Sequence, residues 1–388
     1  MPIRDLRVTN IGPFDDLAFE FDAHVNIFVG PNSSGKSTTL MTLATAATYP
    51  FTLPERLRKA TPAAFAVHVV GRDGQPRELA GELPVDQATL AQQSPWTAML
   101  TALGYSSFVP ALRQSTGFRS SGPGLGLTPA ATPQLPEELL RRRALLPTDA
   151  SLIRAEAVLE RMVEFADRAV RRNDPAMRRL LTQIASIASE ILDGFPVEFW
   201  RIAEDRDGLF PQFRTLDGDL AFDVFSQGTQ SVLQWLAYVL IGYARYYGYP
   251  SNLAEQPGVM IIDEIDAHLH PTAQQRIIPV LRRHFPHMQI FCSTHSPLML
   301  LDLQPGQIQL LQRASHGPVT VVRNATAITG QSTDALLQQF FGIPAAIPEP
   351  ATETLTPKRS RRSPRQQTKA PATPTRPHAP RTGSRRRA

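Results

Sequence analysis

Eight consecutive residues, Gly30-Pro31-Asn32-Ser33-Ser34-Gly35-Lys36-Ser37, limit what this chain can be more than any other feature. They spell G-x-x-x-x-G-K-S. An apolar run, Val25 to Val29, precedes them, and a helix-like stretch, Thr38 to Ala46, follows. Strand, loop and helix in that order is the setting in which such a loop cradles phosphate. Its backbone N–H groups point inward at an anion, and the helix N-terminus adds partial positive charge. Lys36 is placed to reach the outer phosphates, and the Ser37 hydroxyl to ligate Mg²⁺.

The rest of the chain is long enough to build a domain around that loop. Its 388 residues, 42% of them hydrophobic, allow one large or two ordinary domains. A single cysteine, Cys292, excludes an internal disulfide and fits a reducing compartment. Its apolar, strand-like surroundings predict a small core residue. The opening Met1-Pro2-Ile3-Arg4-Asp5 is charged where an export signal needs an apolar stretch. The longest apolar run, Val232 to Ala244, is too short to span a bilayer and contains Gln234. A soluble cytoplasmic protein is expected, with no membrane partner. Eleven lysines and arginines and no acid fall between Pro357 and Ala388, so the formal charge of +5 belongs to that stretch alone. The remainder is acidic on balance and is not a basic nucleic-acid surface.

Periodicity places the elements. Ile3 to Val8 reads as a strand, Asn10-Ile11-Gly12-Pro13-Phe14 as a turn, and Leu17, Phe19 and Phe21 as the inner face of a second strand. Ala64 to Leu83 reads as a hairpin turning at Arg72-Asp73-Gly74. Phe108-Val109 is a short strand, and Ser115 to Pro136 a Gly/Ser/Pro/Thr-rich loop. Two helical stripes follow. The first carries Leu152, Leu159, Met162, Val163, Ala166 and Val170. The second starts at Asp174-Pro175, runs through Met177, Leu180, Leu181, Ile184, Ile187, Ala188 and Ile191, and stops at Gly194. Their arginines are interleaved with acids, which predicts a solvated face. Phe195 to Phe225 alternates like strands, with turns at Asp207-Gly208 and Asp217-Gly218. A buried helix at Ser231 to Ala244, a strand at Gly258 to Ile262, a helix at Pro271 to His284, and strands at Met288 to Cys292 and Gln307 to Leu311 follow. Strands alternating with helices predict a mainly parallel sheet wrapped by helices. From Pro348 onward Pro, Thr, Arg and Ala leave almost nothing to bury, so disorder is expected there.

Three further segments supply chemistry. The strand Val259 to Ile262 ends in Asp263-Glu264. A buried strand fixes the direction of Asp263, which suits it to hold Mg²⁺ opposite Ser37. Glu264 points elsewhere, toward an attacking water, as general-base work requires. Phe225-Ser226-Gln227-Gly228-Thr229-Gln230 opens the buried helix. Ser226 and the helix-start N–H groups suit a terminal phosphate, and Gly228 permits close backbone approach. Taken alone, Ser226 is an ordinary helix cap. Ser293-Thr294-His295-Ser296-Pro297 follows a strand, and His295 suits a hydrogen bond to a γ-phosphate and its water.

The order of phosphate loop, Ser-x-Gly helix start, Asp-Glu strand and His loop resembles the ABC-type ATPases across most of residues 1 to 345. The subgroup it is most similar to is the RecF, structural-maintenance-of-chromosomes (SMC) and overcoming-lysogenization-defect (OLD) branch, including stand-alone "AAA family" ATP-binding proteins of bacterial defence and repair. Three features carry this: the Asn10 to Phe14 turn, Asn32 within the loop, and the string Asp263-Glu264-Ile265-Asp266-Ala267-His268-Leu269-His270-Pro271. Phe340-Phe341-Gly342 is also similar. The resemblance implies a P-loop NTPase fold with a mixed, mainly parallel sheet, a β-hairpin subdomain and a helical insertion. It implies an ATPase domain split into residues 1–114 and 196–347, an insertion at 115–195 and a basic tail at 348–388. It further implies ATP and Mg²⁺ as cofactors, with two ATP molecules sandwiched in a head-to-head homodimer. Residues 30 to 37 with Thr38 would bind ATP. Ser37 and Asp263 would hold the metal, and Glu264 and His295 would act in catalysis. Ser226 and Gly228 would reach the nucleotide of the other subunit, and Asp266 would sit at the dimer seam. Gln114 is the candidate for a metal- and water-contacting glutamine, with Gln92 and Gln93 as rivals.

Departures from the family narrow the function. Phe225-Ser226-Gln227-Gly228 replaces the transporter-type Leu-Ser-Gly-Gly, and no long heptad coiled coil is present. No acidic metal cluster follows His295, so a nuclease domain of the OLD type is not expected. The expected function is an ATP-hydrolysing switch acting with DNA or an effector in repair or phage defence. The alternatives are a transporter ATPase subunit or a non-catalytic ATP-dependent scaffold. Against the transporter, 188 residues separate Lys36 from Val224. The basic tail could bind nucleic-acid backbone in a salt-dependent manner.

Overall fold

Four strands that are buried along their whole length form the centre of the protein, because both of their faces are covered. A computed structural model describes residues 3–47, 53, 55–70, 74–83, 103–111, 113–114, 153–154, 162–164, 166–169, 173–206, 208–313 and 317–342, all within one compact unit. Its first half runs β1 (Ile3–Ile11), β2 (Phe14–Glu20), β3 (Val25–Val29), α1 (Lys36–Ala47), β4 (Ala64–Val70), β5 (Pro76–Glu82), β6 (Tyr105–Val109), β7 (Arg113–Gln114) and β8 (Ile153–Arg154). The second half runs α2 (Pro175–Ile191), β9 (Glu198–Asp205), β10 (Gly208–Thr215), β11 (Gly218–Ala221), α3 (Gln227–Tyr246), β12 (Gly258–Ile262), α4 (Pro271–His284), β13 (Met288–Ser293), β14 (Ile308–Arg313), β15 (Val319–Arg323) and α5 (Thr333–Phe341).

The central sheet has the order β15-β14-β3-β13-β12-β6, parallel throughout except for the β14–β15 hairpin. Side chains on a strand alternate between faces. Ile27 and Val29 of β3, Met260 and Ile262 of β12, and Ile290 and Cys292 of β13 enter one core, shared with α2, α3, α4 and α5. Phe28, Val259, Ile261 and Phe291 enter the other, shared with α1 and the sheet β2-β1-β4-β5. This is the mixed α/β architecture with a hairpin subdomain that the sequence predicts. A third sheet, β11-β10-β9, packs against α2 through β9. Among the described residues no helix is long and apolar enough to cross a membrane.

Polar side chains join the two main sheets. Buried Gln289 of β13 donates to the carbonyls of Ile3 and Asp22, at 2.9 and 2.8 Å, and accepts from the Ile3 amide at 2.8 Å. It thus acts as a substitute strand partner for the start of β1.

Several elements end where local chemistry requires. Asp174 caps α2 by accepting from the Ala176 and Met177 amides, and Pro175 fills the first helical position. Gly342 closes α5 with a left-handed φ of 67°. Other elements differ from expectation. The helix assigned to Ser231–Ala244 begins earlier, at Gln227, because Ser226 caps it. Ile153–Arg154, inside the first helical stripe, pairs in parallel with Arg113–Gln114 instead. Helix is present at 162–164 and 166–169, whereas Leu152, Leu159 and Val170 lie outside the described residues. So do the loop at 115–136 and the tail at 348–388.

Candidate functional site

Parallel strands in register deliver their C-terminal loops to one edge. Ile262 pairs with Cys292, and Ser293 with Phe28, so the loops after β12, β13 and β3 leave side by side. That edge is where open α/β sheets bind ligands. The amide of Asp263 donates to Val109 O at 2.8 Å, and that of Thr294 to Phe28 O at 3.2 Å, which extends the alignment one residue past the strands.

The loop at 30–37 is held by its neighbours. A Cβ on Gly35, whose φ is 104°, would stand 2.4 Å from the Phe14 ring and 2.8 Å from Pro13. The turn at 10–14 is therefore a brace under the loop, and the loop needs glycine at that point. Ser33 has a φ of 63°, so the backbone curls there, and the Ser34 amide donates to Pro31 O at 3.3 Å. Lys36 begins α1, and the first N–H groups of a helix have no partner within it. Lys36 Nζ donates to the carbonyls of Gly30 and Pro31, at 2.8 and 3.1 Å. Burial pulls the Lys36 ammonium below the ordinary lysine range, and the charges of Asp263 and Glu264 act the other way. Those two carboxylates thus lie within electrostatic reach of the amine. Ser37 is exposed beside it, as are Pro31, Asn32 and Ser33. Ser34 Oγ is buried without a hydrogen-bond partner. The Thr38 side chain is turned against Gly12, which leaves its amide as the group to offer a ligand.

Asp263 is 5% exposed. Its Oδ1 accepts from Ser293 Oγ, and the Glu264 amide donates to the same Oγ at 2.8 Å. Glu264 has a φ of 48°. A left-handed conformation costs a side-chain-bearing residue about 1–2 kcal/mol, and such strain clusters at functional sites. Among the described residues no group of three or more His, Cys, Asp or Glu side chains is arranged around a metal. A curled loop at a helix start, a buried unpartnered hydroxyl within it and carboxylates within electrostatic reach of its lysine together fit a Mg²⁺-bound nucleoside triphosphate.

His295 is exposed, between Thr294 and Ser296. Ser296 Oγ donates to Gln274 Oε1 at 2.6 Å, and Gln274 Nε2 donates to Leu269 O at 2.9 Å. One α4 side chain therefore clasps the His loop to the 264–270 loop. Asp266 is 9% exposed. Burial raises its carboxyl, which a hydrogen bond from Thr294 and the charge of His295 oppose. Asp266, expected at a dimer seam, is buried beside the His loop of its own chain.

Ser226 is exposed and accepts from the Thr229 amide at 3.3 Å. Gln230 Nε2 donates to Phe225 O and Asp223 O, at 2.9 and 3.2 Å, fixing the approach to that helix. Gly228 is buried, with the carbonyl of His268 on the side where a Cβ would stand. Gln114 lies in β7, five residues past the end of β6, whereas Gln92 and Gln93 lie outside the described residues. Sequence reasoning missed Ser293 and Gln274. Their partners lie 30 and 22 residues away, and no local pattern announces them.

Comparison with known proteins agrees with this geometry. Residues 119–302 match the family model described as "AAA domain, putative AbiEii toxin, Type IV TA system", and residues 5–67 match one described as "AAA domain". The first match contains Asp263, Glu264 and His295, and the second contains the loop at 30–37. A Septu protein PtuA of Bacillus mycoides (strain KBAB4) is 33% identical over 93 residues, 24% of this chain and 13% of that protein. The Retron Vc95 probable ATPase of Vibrio cholerae serotype O1 biovar El Tor is 44% identical over 59 residues, 15% of this chain and 12% of that protein. The chain thus spans well under a quarter of the length of these relatives. A crystal structure of an SmcHead bound to the C-winged helix domain of ScpA aligns over 84% of this chain and 98% of its own, with a TM-score of 0.49 and 13% identity.

Proposed function

We propose that this chain, an ABC-type ATPase of the RecF, SMC and OLD-like branch, is an ATP-driven switch that works with a partner effector in phage defence. What carries the reading is one relationship: the loop with Lys36 and the Asp263-Glu264 pair leave the same edge of one parallel sheet, from the strands β3 and β12 on either side of β13, with both carboxylates within electrostatic reach of the amine. Lys36 and the amides from Gly35 to Thr38 hold the phosphates of ATP, with residues 30–34 forming the rest of the cradle. Ser37 and Asp263 hold Mg²⁺, with Gln114 as a further candidate contact. A Mg²⁺ ion held there would supply positive charge to the phosphates. Glu264 orients the attacking water and accepts its proton. His295 donates to the γ-phosphate.

Ser226 and Gly228 serve the ATP of a second copy, so ATP joins two subunits and hydrolysis releases them. The exposed Ser226 hydroxyl at a helix start supports that role. Residues 1–114 and 196–347 form the two halves of the ATPase domain around an insertion at 115–195. The defence assignment rests on relatives named as Septu and retron proteins. The basic stretch from Pro357 supports contact with a nucleic-acid backbone, and the single buried cysteine supports a cytoplasmic setting.

Replacing Glu264 with Gln in the full chain tests the reading. Binding of fluorescent ATP should persist, phosphate release should stop, and size exclusion with ATP should show a trapped dimer. A monomeric variant that still turns over ATP rejects it.

A further inference from the structure

We propose that Ser293 is a positioning residue for hydrolysis, its one hydroxyl setting both the Asp263 carboxylate and the Glu264 backbone. This rests on the reading above, in which Asp263 holds Mg²⁺ and Glu264 activates water. Ser293 ends β13 and is 0% exposed. Its pairing with Phe28 sets it level with the last residue before Val29 and the phosphate loop.

A serine hydroxyl has one proton and two acceptor positions. Here the proton goes to Asp263 Oδ1, and the Glu264 amide donates back to the oxygen at 2.8 Å. The Ser293 carbonyl accepts from the Ile265 amide at 3.2 Å. Three successive residues after β12 are therefore fastened to this one. The carbonyl contact survives any side-chain replacement, whereas both hydroxyl contacts depend on the oxygen.

The two hydroxyl contacts act on different properties. One fixes the plane of the carboxylate that faces the metal. The other holds the amide of a residue whose φ is 48°, and so helps keep Glu264 in its left-handed turn. A side chain that merely filled space at this position would have no use for a hydroxyl. Removing Oγ takes one hydrogen bond from the Asp263 carboxylate and one from the Glu264 amide. Groups that orient a metal ligand are commonly worth 10–100-fold in affinity or activity.

The test uses full-length Ser293→Ala and Ser293→Thr. Two quantities are read: the dissociation constant of Mn²⁺ in the ADP complex, by electron paramagnetic resonance, and kcat and KM for ATP. Ser293→Ala should weaken Mn²⁺ by about tenfold and lower kcat by about 10–100-fold, with KM for ATP within about threefold of the parent. Ser293→Thr, which keeps the hydroxyl, should recover most of both. If Ser293→Ala does not fold, Ser293→Cys keeps the volume with a much weaker donor and should show the same pattern.

Wild-type Mn²⁺ affinity and turnover in the folded Ala or Cys variant overturns the inference and leaves the ATPase reading intact. Equal losses in the Ala and Thr variants, with equal drops in thermal midpoint, assign Ser293 to packing and also overturn it. A parent protein that neither binds nor hydrolyses ATP removes the reading and the inference together.

Discussion

The carbonyl oxygen of His268 occupies the space a side chain on Gly228 would need: a Cβ there would stand 2.4 Å from it. His268 itself is left-handed, with a φ of 64°. The start of α3 and the loop after β12 are thus in direct contact within one subunit. The sequence reading gave Gly228 to a phosphate, whereas its close neighbour is this loop. Gln274 continues the contact from Leu269 to Ser296, beside His295. Gly228→Ala must push one of the two segments aside. Overpacking of this kind costs about 1–3 kcal/mol, and the shift falls on residues flanking Ser226 and Glu264. We expect a lower urea midpoint and a drop in ATP turnover of about tenfold, since small misplacements of reacting groups are costly. Unchanged stability and turnover would show that the contact relaxes freely.

Cys292 precedes Ser293 and reports on the same strand. Burial raises its thiol far above the ordinary range, and the charges of Asp266 and Asp263 add to the effect. The thiolate is the reactive form. Ellman's reagent should therefore find no reactive thiol in the native protein and one equivalent in denaturing guanidinium. Rapid native labelling would mean that β13 opens readily, and would weaken every distance drawn from its end.

The strands and the phosphate loop were legible because their signals are local. Val25-Asn26-Ile27-Phe28-Val29 is a continuous buried run, and the glycines and lysine after it have fixed spacing. Asp174-Pro175 announced α2 for the same reason. What stayed hidden depends on partners distant in sequence. Gln289 looks like a polar interruption of a core strand until Ile3, 286 residues away, is placed on it. Asp266 carried no local sign that it would be buried beside the His loop. β15 and α5 were not anticipated. The first is a short edge strand with exposed Val322, and the second buries only Leu336 and Phe340. Ile153–Arg154 read as helix because apolar spacing outweighs nothing local, yet a parallel partner at Arg113–Gln114 took it.

Asp22 should give folding a measurable acid dependence. Its Oδ1 accepts from the amides of His24 and Val25, both at 2.9 Å, and from Gln307 Nε2 at 3.2 Å. Burial works against the carboxylate, but the amides of Val25 and His24 and the Gln307 side chain outweigh it, and its pKa lies below the ordinary value. The folded state therefore binds its proton less readily than the unfolded chain. The resulting stability is present above the unfolded carboxyl value of about 3.9 and is lost as pH falls through the lower folded value. Asp22→Asn keeps an acceptor oxygen but cannot titrate. Because Asp22 is half-buried, solvent screening limits the difference to about 1 kcal/mol. Urea unfolding at neutral pH should show the variant less stable, with the gap narrowing as pH falls below the unfolded carboxyl value of about 3.9. A gap that holds constant across that range would mean the three donors serve shape alone, and that the entry to β3 is set by Asn26, whose side chain bonds Asp22 backbone atoms at 2.8 and 2.9 Å.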